Sequence, residues 1–264
     1  PSHGTSTYGI VFGNGDRDGD GNAAATGMLP AAQGHFADYG FLVDRYAHTA
    51  ELVSSPIEAV FQSNSWGSGR TLHYTALSSE LDDILWTYDF ALFQSQSNSG
   101  DQYSRPQAWA KNAISVGGIY HYDDQNPAND CWCNGASIGP AEDGRIKPEL
   151  AFWYDAIYTT SPNNGYTASF GGTSGATPMT AGTGGLVFEM WADNIYGNDP
   201  PGSTVFERRP RLATFKAILV NTAEQYPFSG LDHDMARVRQ GWGRPNARLV
   251  FDRAGLTRVV DGSS

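Results

Sequence analysis

The sequence is poor in positive charge. Its 264 residues include 17 lysines and arginines but 28 aspartates and glutamates, which gives a formal net charge of −11. A chain this acidic repels nucleic acid and anionic membranes, so we expect neither as a partner. It also lacks an apolar run of the roughly 20 residues that a transmembrane helix needs. The composition favours a protein that attracts cations, calcium above all.

Cysteine is almost absent. Only Cys131 and Cys133 occur, on either side of Trp132. A Cys-x-Cys pair is a poor zinc site, because nothing nearby completes four ligands. A local disulfide, two free thiols and a redox element all fit the pair. We favour a small structural disulfide, which indicates an oxidising compartment, and we expect a secreted or extracellular protein, with the periplasm as a variant of this location.

Repeats and low-complexity linkers are absent as well. With 40% hydrophobic residues the chain can bury one sizeable core, and we expect a single domain over residues 1–264. Short apolar runs alternate with helical patterns, which predicts βα units around a parallel sheet. The predicted strands are Phe41–Val43, Ala59–Asn64, Phe90–Gln94, Ala113–Val116 and Glu149–Phe152. The predicted helices are His3–Phe12, Ser78–Thr87, Ser174–Asn194 and Arg211–Thr222, and residues 196–210 are predicted to form an exposed loop.

One serine lies where a nucleophile would be effective. The run Gly171–Pro178 puts Ser174 after a turn-forming segment and directly before a long helical pattern. At a helix N-terminus, unpaired backbone N–H groups and the helix dipole favour developing negative charge. Such a serine can attack a carbonyl while its own N–H helps to hold the oxyanion. Taken alone, the run is more simply a turn with a capping serine.

Three other segments could complete such a site. His3 begins a helical pattern, where an imidazole can act as a general base. Asn98 follows an apolar strand, and its amide could donate to an oxyanion from the side opposite the serine N–H. Ser65, Trp66 and Gly67 follow an earlier strand, where a glycine-rich edge leaves backbone groups for an extended peptide. Each segment alone also has an ordinary structural explanation.

Taken together and in order, these segments resemble the hallmarks of subtilisin-like serine peptidases, the subtilases of peptidase family S8. The resembling segments are His3–Thr5, Gly27–Ala32, Asn64–Gly67, Asn98–Gly100, Gly139–Glu149, Gly172–Pro178 and Gly241–Ala247. They extend over nearly the whole chain. The resemblance implies a secreted serine endopeptidase on an α/β fold, a three-layer α/β/α sandwich with a mostly parallel sheet.

The resemblance also implies a role for each residue. Ser174 would be the nucleophile and His3 the base that takes its proton, so that peptide bonds are hydrolysed through an acyl-enzyme. Asn98 would complete the oxyanion hole with the Ser174 N–H. Ser65–Gly67 would pair with the substrate backbone, and residues 94–97 would form the other wall of the specificity pocket. The implied partner is a peptide or protein substrate.

The sequence departs from the family at three places. The family's catalytic aspartate lies on a strand upstream of the histidine, but only two residues precede His3. We expect a separate N-terminal piece, cleaved off just before the histidine and still docked, to carry the aspartate and its strand. Gly175 and Met179 replace residues usual in the nucleophile run, which should tune packing and leave the chemistry intact. The polar run 94–97 replaces small apolar residues, which predicts an unusual pocket wall.

An acidic run provides a separate candidate site. Asp16, Asp18, Asp20 and Asn22 alternate with other residues in a glycine-containing segment, and oxygen ligands at such positions can converge on one calcium ion. Gly27 stands where the corresponding calcium loops have a bidentate glutamate. We expect a structural calcium site at these four residues, with a solvated acidic turn as the alternative.

Two other functions remain open. A sedolisin-like serine-carboxyl peptidase also uses a Gly-Thr-Ser motif, but it would need acidic residues on the first helix and an aspartate as oxyanion donor, where this chain has His3 and Asn98. A non-catalytic peptide-binding descendant of the fold is supported only by the missing aspartate. The presence of Ser174 together with His3 and Asn98 favours the peptidase.

Overall fold

Helices and strands alternate through the computed structural model, which describes residues 2–15, 25–227 and 235–260. The α-helices are α1 (Ser2–Phe12), α2 (Arg45–Leu52), α3 (Ala76–Tyr88), α4 (Thr173–Ala192), α5 (Val205–Arg208), α6 (Leu212–Asn221), α7 (Arg237–Gln240) and α8 (Ala247–Arg253). The strands are β1 (Phe61–Asn64), β2 (Ala91–Ser95), β3 (Ile114–Ile119), β4 (Leu150–Trp153), β5 (Ile157–Ser161) and β6 (Gly165–Phe170). Short 3₁₀ helices cover Tyr39–Phe41, Pro106–Trp109 and Ala254–Leu256. The four predicted helices are all present, and their ends lie within two residues of the prediction.

Strands β1 to β4 form one parallel sheet in the order of the chain. Asn64 pairs with Gln94 and Ser95 pairs with Val116, so β1 and β2 end at the same edge. Every residue of β2 and β3 is buried, as expected for parallel strands that are covered on both faces. The predicted three-layer α/β/α fold with a mostly parallel sheet is confirmed.

Helix α4 covers one face of the sheet and contacts all four of its strands. A Cβ atom on Gly184 would lie 2.6 Å from the Phe93 ring of β2, so a larger residue there would push the helix from the sheet. Glycine lowers helix propensity, and this close approach explains its presence inside α4. On the opposite face, Leu92 lines a small cavity with Leu81 and Ile84 of α3.

An antiparallel hairpin of β5 and β6 leads directly into α4. Asn163 and Asn164 in its turn both have positive φ, at 63° and 59°, which asparagine tolerates. This hairpin was not among the predicted strands. It holds α1 in place: Ser6 Oγ donates to the Thr160 carbonyl oxygen at 2.8 Å, and Thr159 Oγ1 donates to the Ser6 carbonyl oxygen at 2.9 Å.

The segment Phe41–Val43 is not a strand, so that prediction is wrong. Phe41 and Val43 are 83% and 98% exposed. An apolar run forms a strand only where a neighbour offers hydrogen-bond partners, and the described residues place no strand beside this segment. The predicted loop 196–210 is also interrupted, by the four-residue helix α5.

A buried ion network fastens β3, β4 and α6 together. Fully buried Lys147 lies 2.7 Å from Glu149 Oε1, and Lys216 of α6 donates to the same oxygen at 2.8 Å. The Ser115 N–H and hydroxyl donate to Glu149 Oε2. Burial alone would raise the pKa of Glu149, but the two lysines outweigh it and lower the pKa. Burial lowers the pKa of Lys147 to about 8 despite its partner.

The two cysteines, Cys131 and Cys133, form a disulfide, which confirms the pairing that we favoured. The disulfide lies in the connection between β3 and β4, where the Tyr120 N–H donates to the Cys131 carbonyl oxygen at 2.8 Å.

Within the described ranges, no helix is both long and apolar enough to cross a bilayer.

Candidate active site

The predicted site segments converge at one edge of the sheet, where β1 and β2 end. Ser65–Gly67 follow β1 directly, and Asn98 lies three residues after β2. Helix α4 begins at the same edge with Ser174 in its first turn. Hydrogen bonds from Ser65 and to Asn98 join all three segments, so the structure brings these predicted residues together.

A proline determines how Ser65 reaches the nucleophile turn. In a regular helix the N–H of residue 178 would donate to the Ser174 carbonyl oxygen, but Pro178 has no N–H. The Ser65 hydroxyl donates to that oxygen instead, at 2.8 Å. The predicted substrate strand is therefore tied directly to the turn that carries Ser174.

The amide of Asn98 is fixed against the start of α4. Its Oδ1 accepts from both the N–H and the hydroxyl of Thr173, each at 2.9 Å. Gly172 permits this approach, because its φ is +78° and a Cβ there would lie 3.1 Å from Asn98 Nδ2. Neither Asn98 Nδ2 nor the Ser174 N–H donates to any described residue. Two donors thus remain at this turn for an oxyanion.

His3 lies in the first turn of α1, beside the end of β6. Its ring packs edge-on against Phe170 with centroids 5.7 Å apart, and Phe170 is four residues before Ser174. Among the described residues, no hydrogen bond joins His3 to Ser174. Partial burial lowers the pKa of His3 below the ordinary histidine value. The neutral imidazole that a general base requires is therefore favoured near pH 7.

Packing against the hairpin explains why position 175 is a glycine. A Cβ atom there would lie 2.2 Å from Ile157 Cδ1 of β5, so a methionine, usual in the resembling family, would require the Ile157 side chain to move. Met179 is buried one helical turn further on. Gly175 therefore affects how α4 packs on the hairpin, and Met179 belongs to the hydrophobic core.

Trp66 is held by contacts that the sequence did not reveal. The Tyr39 ring stacks on it with centroids 5.1 Å apart, and the Arg45 guanidinium lies 5.0 Å from its ring centroid. Gln94 Nε2 donates to the Trp66 carbonyl oxygen at 2.6 Å. All four residues of the polar run 94–97 are buried, so this run is part of the packed wall beside Trp66.

Two arginines outside every recognised motif lie at the same edge. Arg70 Nε donates to Ser97 Oγ at 2.7 Å, and Arg70 Nη2 donates to the Asn98 carbonyl oxygen at 3.4 Å. Arg105 Nη1 donates to the Ser68 carbonyl oxygen at 2.9 Å. No local pattern marks either residue, because only the pairing of β1 with β2 brings their segments together.

The predicted calcium ligands Asp16, Asp18, Asp20 and Asn22 lie outside the described residues. Inside the described ranges, no group of three or more histidine, cysteine, aspartate and glutamate side chains could hold a metal ion. The acidic run therefore stays a prediction. Its donor set of three carboxylates and one amide oxygen is the chemistry that calcium prefers.

Comparisons with known proteins identify the family and the fold. The peptidase S8 model, described as the subtilase family, matches residues 1–243. The fold is similar to the structure of prenylagaramide maturation protease PagA, with 18% identity and a TM-score of 0.68 over 96% of this chain and 83% of that chain. It is similar to the self-cleaved protease domain of PatA, with 18% identity and a TM-score of 0.66 over 97% of this chain and 84% of that chain. It is also similar to the PatG macrocyclase in complex with peptide, with 13% identity and a TM-score of 0.66 over 96% of this chain and 68% of that chain. Among curated proteins, no relative matches the sequence.

Proposed function

The chain belongs to the subtilase family, whose peptidases are serine proteases, and from that premise we propose that it cleaves peptide bonds through an acyl-enzyme on Ser174. The observation that carries the proposal is the pair of hydrogen bonds from Thr173 to Asn98, because they fix an amide nitrogen beside the nucleophile turn. The sedolisin-like alternative is not favoured, since the family match and the residues His3 and Asn98 all support the subtilisin-like mechanism.

In the proposed reaction the Ser174 oxygen attacks the peptide carbonyl carbon while its proton passes to an imidazole nitrogen of His3. The carbonyl electron pair moves onto oxygen, where Asn98 Nδ2 and the Ser174 N–H stabilise the charge. The tetrahedral intermediate then expels the amine, which takes the proton from His3. Water repeats these steps on the acyl-enzyme, so that the acid product leaves and Ser174 regains its proton.

The proposed substrate is a peptide or protein in an extended conformation. Ser65–Gly67 follow the sheet edge, and the Gly67 backbone groups bond to no described residue, so they are available for pairing with a substrate strand. One similar structure, the PatG macrocyclase, is in complex with peptide, and others are maturation proteases. These names support a peptide substrate for this chain.

We further propose that a polypeptide outside these 264 residues supplies the catalytic aspartate. Among the described residues the outer edge of β1 pairs with no strand, although an unpaired sheet edge is costly when buried. The apolar side chains of Phe41 and Val43 are exposed on the segment that precedes α2. A similar structure is described as a self-cleaved protease domain, which supports a nicked but assembled enzyme.

The proposed location is outside the cytosol. The disulfide between Cys131 and Cys133 supports this location, because disulfides persist in oxidising compartments. Titration of native protein with a thiol reagent should find no free thiol, and two free thiols would contradict the proposal.

We also propose a structural calcium ion at the acidic run, Asp16, Asp18, Asp20 and Asn22. This proposal is based on the donor chemistry alone.

A fluorophosphonate probe tests the role of Ser174. We expect the probe to label the native protein at Ser174 and Ser174→Ala to abolish both labelling and peptide hydrolysis. Ser169→Ala is the matched control, because Ser169 is exposed on β6 and should leave labelling unchanged. His3→Ala should slow labelling by orders of magnitude.

Intact-mass measurement of the same sample tests the aspartate supply. We expect a second, shorter polypeptide that copurifies, and labelling should fall when it is removed. Full labelling of a chain that carries no such partner would contradict the two-piece enzyme. A folded protein that contains the partner but leaves Ser174 unlabelled would overturn the catalytic proposal and favour the peptide-binding descendant.

A further inference from the structure

Arg70 and Arg105 place two positive charges between the segment after β1 and the segment after β2. Arg70 is hydrogen-bonded to Ser97 and to the Asn98 carbonyl oxygen, and Arg105 is hydrogen-bonded to Ser68. The Arg105 N–H donates to the Gln96 carbonyl oxygen at 3.2 Å, so Arg105 lies beside the residue that precedes Ser97, the partner of Arg70. Burial, and then the neighbouring charge of Arg70, lowers the pKa of Arg105, in agreement with this placement. Like charges in one place repel, so their proximity requires a reason.

Neither arginine is neutralised within the described part of the chain. No ion pair joins Arg70 or Arg105 to a carboxylate there, and each keeps N–H donors that bind no described residue. Asp101 interacts with Arg70 electrostatically but forms no ion pair with it, and its Oδ1 accepts from Ser99 Oγ at 2.6 Å and from the Tyr103 N–H at 2.8 Å. In a chain of net charge −11, this is a local excess of positive charge.

The position of the two arginines relates them to the bond that would be cut. The substrate residue immediately before the cleaved bond bears its side chain on the carbon atom next to the attacked carbonyl. The pocket that binds this side chain must therefore adjoin the oxyanion donor. Arg70 contacts Asn98, the proposed donor, through the backbone. Arg105 lies against Gly67 in the substrate segment, where an added Cβ would be 2.8 Å from Arg105 Cγ. Glycine at position 67 thus leaves room for the Arg105 side chain.

We propose that Arg70 and Arg105 bind the side-chain carboxylate of a glutamate or aspartate immediately before the cleaved bond, an inference that rests on the peptidase function proposed above. A guanidinium group donates two parallel N–H bonds to a carboxylate, and two such groups supply both charge and orientation. Cleavage after acidic residues follows from this arrangement. The overall negative charge of the protein would disfavour such substrates without these two side chains.

The competing explanation is that the two arginines only tie loops together. A purely structural arginine would affect every substrate alike, whereas a specificity residue changes the ratio between glutamate and glutamine substrates. Peptides that are identical except for Glu, Asp, Gln, Ala or Lys before the cleaved bond separate these cases, and kcat/KM is measured for each. We expect the native protein to prefer Glu over Gln by about 10- to 100-fold, the range that a hydrogen bond to a charged group supplies.

Variants of the two arginines test whether they cause the preference for glutamate. Arg70→Gln and Arg105→Gln should each reduce the Glu/Gln ratio several-fold, and the double variant should bring this ratio near one. Arg248→Gln is the matched control, because it removes the same charge from an exposed position on α8. Arg70→Lys keeps the charge and should retain part of the preference if Arg70→Gln fails to fold. A native protein without a Glu preference, or a double variant that keeps it, would overturn the proposal.

Binding to Ser174→Ala separates this inference from the peptidase proposal. Fluorescence anisotropy with the same peptides should show tighter binding of Glu than of Gln by a similar factor. Tighter binding of Glu without any hydrolysis by the native protein would refute the peptidase function and leave the arginine site standing. Hydrolysis or binding that does not distinguish Glu from Gln would refute the arginine site alone.

Discussion

Proline at position 178 removes one backbone N–H from α4, and the carbonyl that it frees belongs to Ser174. A substitution at Pro178 would therefore act on Ser65, whose hydroxyl occupies that carbonyl oxygen at 2.8 Å. Asn98 is fixed in a similar way, by two bonds from Thr173 to one oxygen. Such contacts between single atoms position the proposed nucleophile and oxyanion donor.

Asn98→Ala tests the proposed oxyanion donor. We expect kcat to fall by about 10²- to 10³-fold with a small change in KM, because the donor acts mainly in the transition state. Steady-state kinetics on a cleaved peptide measures this. Thr173→Val is the control, since it loses the hydroxyl bond to Asn98 Oδ1 and keeps the amide nitrogen. If Asn98→Ala raised KM and left kcat unchanged, Asn98 would bind substrate in its ground state instead.

For single residues of the site, the sequence predicted those that belong to recognisable motifs and missed those that do not. Ser174, Asn98 and Ser65 were predicted because each follows an element end with a characteristic neighbour, and the structure joins them. Arg70 and Arg105 were not predicted. Their place beside the site depends on the parallel pairing of β1 and β2, and an isolated arginine in an irregular segment carries no information about such long-range contacts.

Among the elements, the hairpin of β5 and β6 has the clearest structural role. It positions α1 through Ser6, Thr159 and Thr160 and runs directly into α4, so it lies between the elements that carry His3 and Ser174. Its strands were not predicted, although two asparagines followed by glycine mark the turn. The long helices were predictable, because a helix makes its backbone hydrogen bonds within one continuous segment. The prediction of a strand at Phe41–Val43 is wrong because an apolar run alone does not provide a partner strand.

The contribution of the ion network between β3, β4 and α6 to stability can also be tested. Glu149→Gln would leave Lys147 and Lys216 without their shared carboxylate, and we expect the free energy of unfolding to fall by about 3–5 kcal/mol near pH 7. The folded pKa of Glu149 lies below its ordinary value of 4.5. Its contribution to stability is therefore fully present above pH 4.5 and is lost as the pH falls through the folded pKa.

Urea unfolding of the native protein and of Glu149→Gln, near pH 7 and near pH 3, measures both effects. The difference in the free energy of unfolding should shrink at the lower pH. Glu142→Gln is the control, since this carboxylate is exposed beside His73 and should change stability by less than about 1 kcal/mol. An equal loss at both pH values would show that the charge of Glu149 does not determine its contribution.

For the whole molecule, the excess of 11 negative charges predicts a response to calcium. If Asp16, Asp18, Asp20 and Asn22 bind calcium in the native state, saturation at 100 times the Kd adds about 2.7 kcal/mol to the free energy of unfolding. Removal of calcium with a chelator should then lower the Tm by several degrees, as measured by differential scanning calorimetry.

Charge-matched variants distinguish binding from screening. Asp18→Asn with Asp20→Asn should abolish the calcium-dependent rise in Tm, whereas Asp123→Asn with Asp193→Asn removes the same charge from exposed positions and should keep it. A rise that persists in both double variants, or that magnesium reproduces fully, would contradict a calcium site at the acidic run.

The bonds that dock α1 have a further consequence for how the molecule is made. Ser6 and Thr160 are separated by 154 residues, so the His3 helix leaves the ribosome long before the hairpin that receives it. At synthesis rates of about 5–20 residues per second, the wait is roughly 8 to 30 s. During that interval the base and the nucleophile do not share a folded structure. The nascent chain therefore cannot assemble the proposed active site until the segment that carries Thr160 and Ser174 has been translated.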